Sequence, residues 1–158
     1  MPAKFVKAVL LSVGLAFVVI QLVPAAQVTN PPANGTLTAP PEVEQTLERS
    51  CFDCHSNQTQ WPWYAKVAPL SWLVAHDVEL GRKEINFSEW GEYYPGTRKR
   101  KLEWMRRALH EEAMPPWQYR LMHPSSRMSQ SDCDLLTRWI DGELANAESQ
   151  PIKATKGK

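Results

Sequence analysis

Five consecutive residues, Cys51-Phe52-Asp53-Cys54-His55, bring two thiols and an imidazole within little more than one helical turn. Three chemistries use such a set. Thiols three positions apart can form thioethers with two vinyl groups along one porphyrin edge, and the histidine that follows then turns its imidazole toward the iron. The same thiols could supply half of a tetrahedral zinc site. They could also run dithiol exchange.

The rest of the chain separates these readings. Structural zinc takes four nitrogen or sulfur ligands, usually as two separated pairs. The only other cysteine, Cys133, has no second ligand pair around it. Dithiol exchange requires the pair after a strand, at a helix start in a βαβ setting, and no strand-like alternation of any length occurs. An odd count of 3 cysteines is also a poor disulfide framework. What remains is one covalent haem on Cys51 and Cys54, with His55 as the proximal ligand.

The opposite face of the iron needs a second ligand, and Met114 in Glu111–Arg120, EEAMPPWQYR, is the candidate. Small cytochromes c carry their distal methionine in such a Met-Pro loop. Two prolines fix φ beside Met114 and stiffen it, so its soft thioether can be held at little entropic cost. Filling core is the alternative role for this residue. Met105 falls on an apolar helical face, and Met122 and Met128 flank the polar HPSSR with nothing to stiffen them.

Histidines and aromatics have competing roles. His76 is an alternative distal ligand but reads more simply as solvated beside Asp77. His110 and His123 read as structural, with His123 also able to hydrogen-bond a haem propionate. Trp61, Trp63, Tyr64 and Trp72 could wall the porphyrin and exclude water, or be plain core. Cys133 reads as a small buried hydrophobe.

These residues have to be positioned by helices. Lys4 and Lys7 precede an apolar run from Ala8 to Val23, interrupted only by Ser12, Gly14 and Gln21. Residues 1–26 are therefore a signal peptide, cleavable after Ala25, or an N-terminal transmembrane anchor with its basic end in the cytoplasm. Residues 27–41, rich in proline and free of charge, read as an extended tether unable to bury a core. The folded domain spans 42–147. Its expected helices are PEVEQTLERSCFDCH running into the motif, PLSWLVAHDVELGRK with Leu70, Leu73, Val74, Val78 and Leu80 as its stripe and Gly81 as its stop, TRKRKLEWMRRALHEE with Leu102, Met105 and Leu109 and a Thr97 cap, and SQSDCDLLTRWIDGELANA. The last opens with Ser129 and Asp132 in capping-box spacing and carries Cys133, Leu136, Ile140 and Leu144. Residues 148–158 form a polar, disordered tail. The fold class is all-α, a small helical domain with long loops, and 13 prolines among 158 residues support the loops.

A formal net charge of +1 gives no electrostatic case for nucleic acid. The basic run Arg98 to Lys101, with Arg106 and Arg107, is a solvated helix face or, in a sharper reading, a docking patch for an acidic redox partner.

In the order CFDCHSNQTQWPWY, PLSW, GRKEINFSEW, AMPPWQYRLMHP and MSQSDCDLLTRW, from about Pro41 to Ala147, the sequence resembles the bacterial haem-binding domain family, small exported or membrane-anchored monohaem proteins similar to cytochromes c. The resemblance implies Cys51 and Cys54 as thioether positions, His55 as proximal ligand and Met114 as distal candidate. The expected function is one-electron transfer by one haem c at the periplasmic face of a bacterial inner membrane, with an unidentified redox partner protein and with the membrane held through the N-terminal helix. Two alternatives stand beside it: a haem peroxidase or small-ligand sensor with an open iron site, and a non-redox structural haem module.

Overall fold

The computed structural model describes residues 3–24 and 29–149. The cleavage point after Ala25 and the tail beyond 149 lie outside the described residues. Every regular element among them is helical: α1 (Ala3–Ile20), α2 (Pro41–Ser50), α3 (Phe52–His55), α4 (Leu70–Glu84), α5 (Pro95–His110), α6 (Trp117–Met122) and α7 (Gln130–Ser149), with short 3-10 turns at Trp63–Lys66, Phe87–Glu92 and Pro124–Ser126. The all-α expectation holds.

Two helices follow their sequence stripes. α5 buries Leu102, Met105 and Leu109, and α7 buries Leu136 and Ile140 fully and packs Leu144 on the same cluster. Leu47, Phe52, Ile85 and Phe87 are among the residues that join that core between α2, α5 and α7. The α7 capping box forms as its spacing predicts: Ser129 N–H donates to Asp132 Oδ2 at 2.8 Å, and Asp132 N–H donates to Ser129 Oγ at 3.2 Å. Arg49 on α2 reaches the same carboxylate at 2.9 Å and ties the two helices together. Cys133 is half-buried on α7.

Several boundaries differ from the expectation. The helix entering the motif is interrupted at Cys51 (φ −129°, ψ −35°), so α2 and α3 are separate segments. α5 starts at Pro95, with proline in its first turn where the missing N–H costs nothing, and Thr97 lies inside the helix instead of capping it. α7 continues to Ser149, beyond the domain end expected at 147.

α4 departs most. Gly81 does not stop it; the helix runs on to Glu84. Its buried face is Ser71, Ala75, Val78 and Gly81, whereas Leu70, Leu73 and Leu80 point outward. Small residues face inward because α4 lies tight against α3. A Cβ at position 81 would sit 2.4 Å from the Cys54 carbonyl oxygen.

Residues 29–40 have no helix, as their prolines require, but they are bound to the domain. Asn34 N–H donates to Ser88 O at 2.9 Å, Leu37 N–H to Phe87 O at 2.8 Å, and Gly91 N–H to Gly35 O at 2.7 Å. Gly35 takes φ +93°, which only glycine adopts readily. Leu37 is buried in the core, so the segment is a packed strap and not a free tether.

α1 buries none of its residues in the protein and is long and apolar enough to cross a membrane. Its C-terminal end is bonded to the domain. Gln21 Nε2 donates to Ala68 O at 3.1 Å while Ala68 N–H donates to Gln21 Oε1 at 2.9 Å, and Trp72 Nε1–H donates to Val23 O at 3.2 Å.

Candidate haem site

α3 carries the motif. Its backbone N–H groups at Cys54 and His55 both bond to Cys51 O, at 3.2 and 2.9 Å, which closes the turn that brings both thiols to one side. Both cysteines are free. Burial, with Cys54 nearby, pushes the Cys51 thiol up to about 12; burial, followed by Asp53 and Asp77, does the same for Cys54. These are protonated thiols, the opposite of the lowered values that dithiol exchange needs.

His55 is buried and held by main-chain oxygens. Its Nδ1 lies 2.9 Å from Gly81 O and 3.2 Å from Ile85 O. Both partners can only accept, so Nδ1 carries the proton. Nε2 has no hydrogen-bond partner among the described residues and is the nitrogen left to bind a ligand. Burial lowers the imidazole's affinity for a second proton, against the opposing effect of the two carbonyls, and this favours the neutral ring. Phe87 and Trp104 flank it at centroid distances of 6.4 and 6.0 Å.

A pocket opens on this side of α3, lined by Ser50, Cys51, Asp53, Cys54 and His55 and closed opposite by Met114, Pro115, Pro116 and Tyr119. Among the described methionines, Met114 is the one that lines it; Met105 is core, Met128 packs against the core and Met122 is exposed. The family profile of the haem-binding domain matches residues 15–142, from within α1 to within α7. The chain belongs to the haem-binding domain family. It is also similar to cytochrome c peroxidase Ccp of Escherichia coli (strain K12), 24% identical over 104 residues, 62% of this chain and 22% of that enzyme. The matched stretch is thus about a fifth of that relative's length. No solved structure matches the chain.

The residues of this haem-binding domain suit the group in three respects. The imidazole is pre-oriented with one nitrogen available, two cysteines free of any disulfide line the same pocket, and a methionine, Met114, lines it as well. The buried hydroxyl of Ser50, in the pocket wall, has no partner among the described residues. Leaving such a group unpaired costs about 1–3 kcal/mol, which marks the wall as built for a further occupant. The pocket itself is narrow, about 30 Å³, room for little more than one water molecule. α6 contributes Tyr119 to the wall of this pocket. That helix has no buried residue, and it is latched to the motif by the bond from Tyr119 Oη to Asp53 Oδ2 at 2.6 Å.

This latch belongs to a network that the sequence reading missed. Tyr64 Oη meets His123 Nε2 at 2.6 Å, and the His123 ring stacks on Tyr119 at 4.3 Å. Burial and then Asp53 hold the Tyr119 phenol above its ordinary value, so it stays a donor. The Tyr-x-x-x-His spacing of Tyr119 and His123, one helical turn, was the available signal. His76 and His110 are exposed and lie outside the pocket lining. A larger cleft of about 500 Å³ lies between the strap and α4 and includes none of the motif's cysteines or His55. Its Arg82 guanidinium is already bonded to Ser56 O, Thr29 O, Asn30 Oδ1 and Thr59 Oγ1.

Proposed function

We propose that this haem-binding domain holds a single c-type haem and transfers one electron at a time on the periplasmic side of a bacterial inner membrane, anchored there by α1. The observation that carries this reading is the placement of Cys51, Cys54, His55 and Met114 around one pocket, with the His55 Nε2 left unpaired by the two carbonyls on Nδ1. Cys51 and Cys54 would hold the macrocycle through thioethers, His55 would ligate from the proximal side and Met114 from the distal side. Bound haem would supply the one-electron chemistry, and methionine as second ligand favours a comparatively high potential.

The chain's own part is orientation and exclusion of water. The carbonyls of Gly81 and Ile85 fix the ring and raise its basicity as a ligand. Phe87 and Trp104 keep the proximal side apolar. Pro115 and Pro116 hold Met114 in a short loop between α5 and α6.

The test combines a haem stain after denaturing electrophoresis with an optical spectrum of protein matured in a cytochrome c assembly host. The stain should persist in the wild type and vanish in Cys51→Ser/Cys54→Ser. The far-red methionine–iron charge-transfer band should be present and be lost in Met114→Ala, together with a fall in reduction potential. A wild-type chain that loses its haem on denaturation refutes covalent attachment.

Similarity to the E. coli peroxidase favours a second reading, an open iron site with peroxidase activity. It predicts a high-spin ferric spectrum and ready binding of azide, and finding both would displace electron transfer.

A further inference from the structure

We infer that the domain lies against the lipid surface through the first turns of α4, in an orientation fixed by the end of α1. This rests on reading α1 as an uncleaved anchor. Its 18 residues span about 27 Å at 1.5 Å per residue, close to the ~30 Å hydrocarbon thickness of a bilayer, with Lys4 and Lys7 in its first two turns reaching back to the headgroups. Ile20 then sits at the edge of the hydrocarbon, with Gln21 immediately beyond it.

Gln21 is where the domain is attached. Its side-chain amide makes a reciprocal pair with the main chain of Ala68, at 3.1 and 2.9 Å, and the Trp72 indole N–H bonds to Val23 O at 3.2 Å. The start of α4 therefore stands at the level where the span emerges. Tryptophan and an exposed lysine, Lys66 in the preceding turn, are residue types suited to that depth.

The surface presented there is apolar. Leu70 and Leu73 are 45% and 51% exposed, although a soluble helix would turn them inward. The tight contact of the small face of α4 with α3 forces the leucines outward. Attachment to the end of α1 places Leu70 and Leu73 where lipid covers them, and this accounts for the outward turn of the stripe at the start of α4.

The experiment uses the full chain in phosphatidylcholine/phosphatidylglycerol vesicles, with p-benzoylphenylalanine introduced in place of Leu70, Leu73 or, as a water-facing control on α7, Glu143. After irradiation, mass spectrometry should find lipid adducts at 70 and 73 at several-fold the yield at 143. Gln21→Ala should lower the yield at 73, because it releases the domain from the span. Equal yields at 73 and 143 in full-length, vesicle-bound protein overturn the docking and leave the anchor standing. A chain whose intact mass begins after Ala25 overturns both, and neither result bears on the haem ligands.

Discussion

Replacing Gly81 by alanine tests how the site is assembled. The new Cβ would lie 2.4 Å from the Cys54 carbonyl oxygen, 2.9 Å from its carbon and 3.1 Å from Cys54 Cβ. Ordinary contact begins near 3.4 Å, so α4 and α3 must part by about 1 Å, the difference between 3.4 and 2.4 Å. The bonds from His55 Nδ1, now 2.9 and 3.2 Å, would stretch beyond the ~3.2 Å over which N–H···O bonds hold well. Overpacking of this kind costs about 1–3 kcal/mol, and a buried imidazole N–H without its acceptor costs about 1–3 more. Alanine's better helix propensity returns about 1 kcal/mol. The net loss is ~1–5 kcal/mol, and at about 3–5 °C per kcal/mol for a domain of this size Tm should fall by roughly 3–25 °C. Thermal melts of the haem-loaded protein by far-UV circular dichroism measure this. Gly142, inside α7, is the control: a Cβ added there would meet nothing within 4 Å, and Gly142→Ala should raise Tm by a few degrees. If Gly81→Ala melts at or above the wild-type temperature, or if both variants shift the same way, the close-approach reasoning fails.

Leu37→Ala should cost about 2–4 kcal/mol in urea unfolding because the side chain is buried in the core; a free tether would register almost nothing. Asp132→Ala removes half of the α7 capping box and should cost about 0.5–1 kcal/mol at neutral pH. Burial pushes this carboxyl up, but bonds from Ser129 and Arg49 outweigh that and hold it below its ordinary value of 3.8. A depressed folded-state value means that its contribution is complete well above 3.8 and is lost as pH falls below it. The difference in Tm between wild type and Asp132→Ala should therefore close on acidification, and a gap that widened instead would refute the assignment.

The parts of this protein legible in its sequence are those governed by local spacing. α5 and α7 bury a large apolar face, so the 3.6-residue period and the Ser129/Asp132 cap identify them. The cysteine motif and the proline-flanked Met114 are local as well, and they meet at one pocket. α4 misled because its inward face is chosen by how near α3 must come, which excludes leucine and admits Ser71, Ala75 and Gly81. Leu37 misled because one apolar residue among prolines has no period; its burial depends on hydrogen bonds to Phe87 and Ser88, some fifty residues away. The acceptors on His55 come from positions 26 and 30 residues onward, and a main-chain carbonyl leaves no trace in residue type.

That last feature has an evolutionary consequence. Every residue type contributes a carbonyl, so changing the side chain at Ile85 leaves its acceptor in place, and the imidazole's orientation is insulated from most substitutions around it. Position 81 is the exception, because there the requirement is for space and glycine alone meets it. At the positions that line the pocket, Cys51, Cys54, His55, Met114 and Tyr119 among them, each replacement alters what the pocket presents, because these residues act through their side chains.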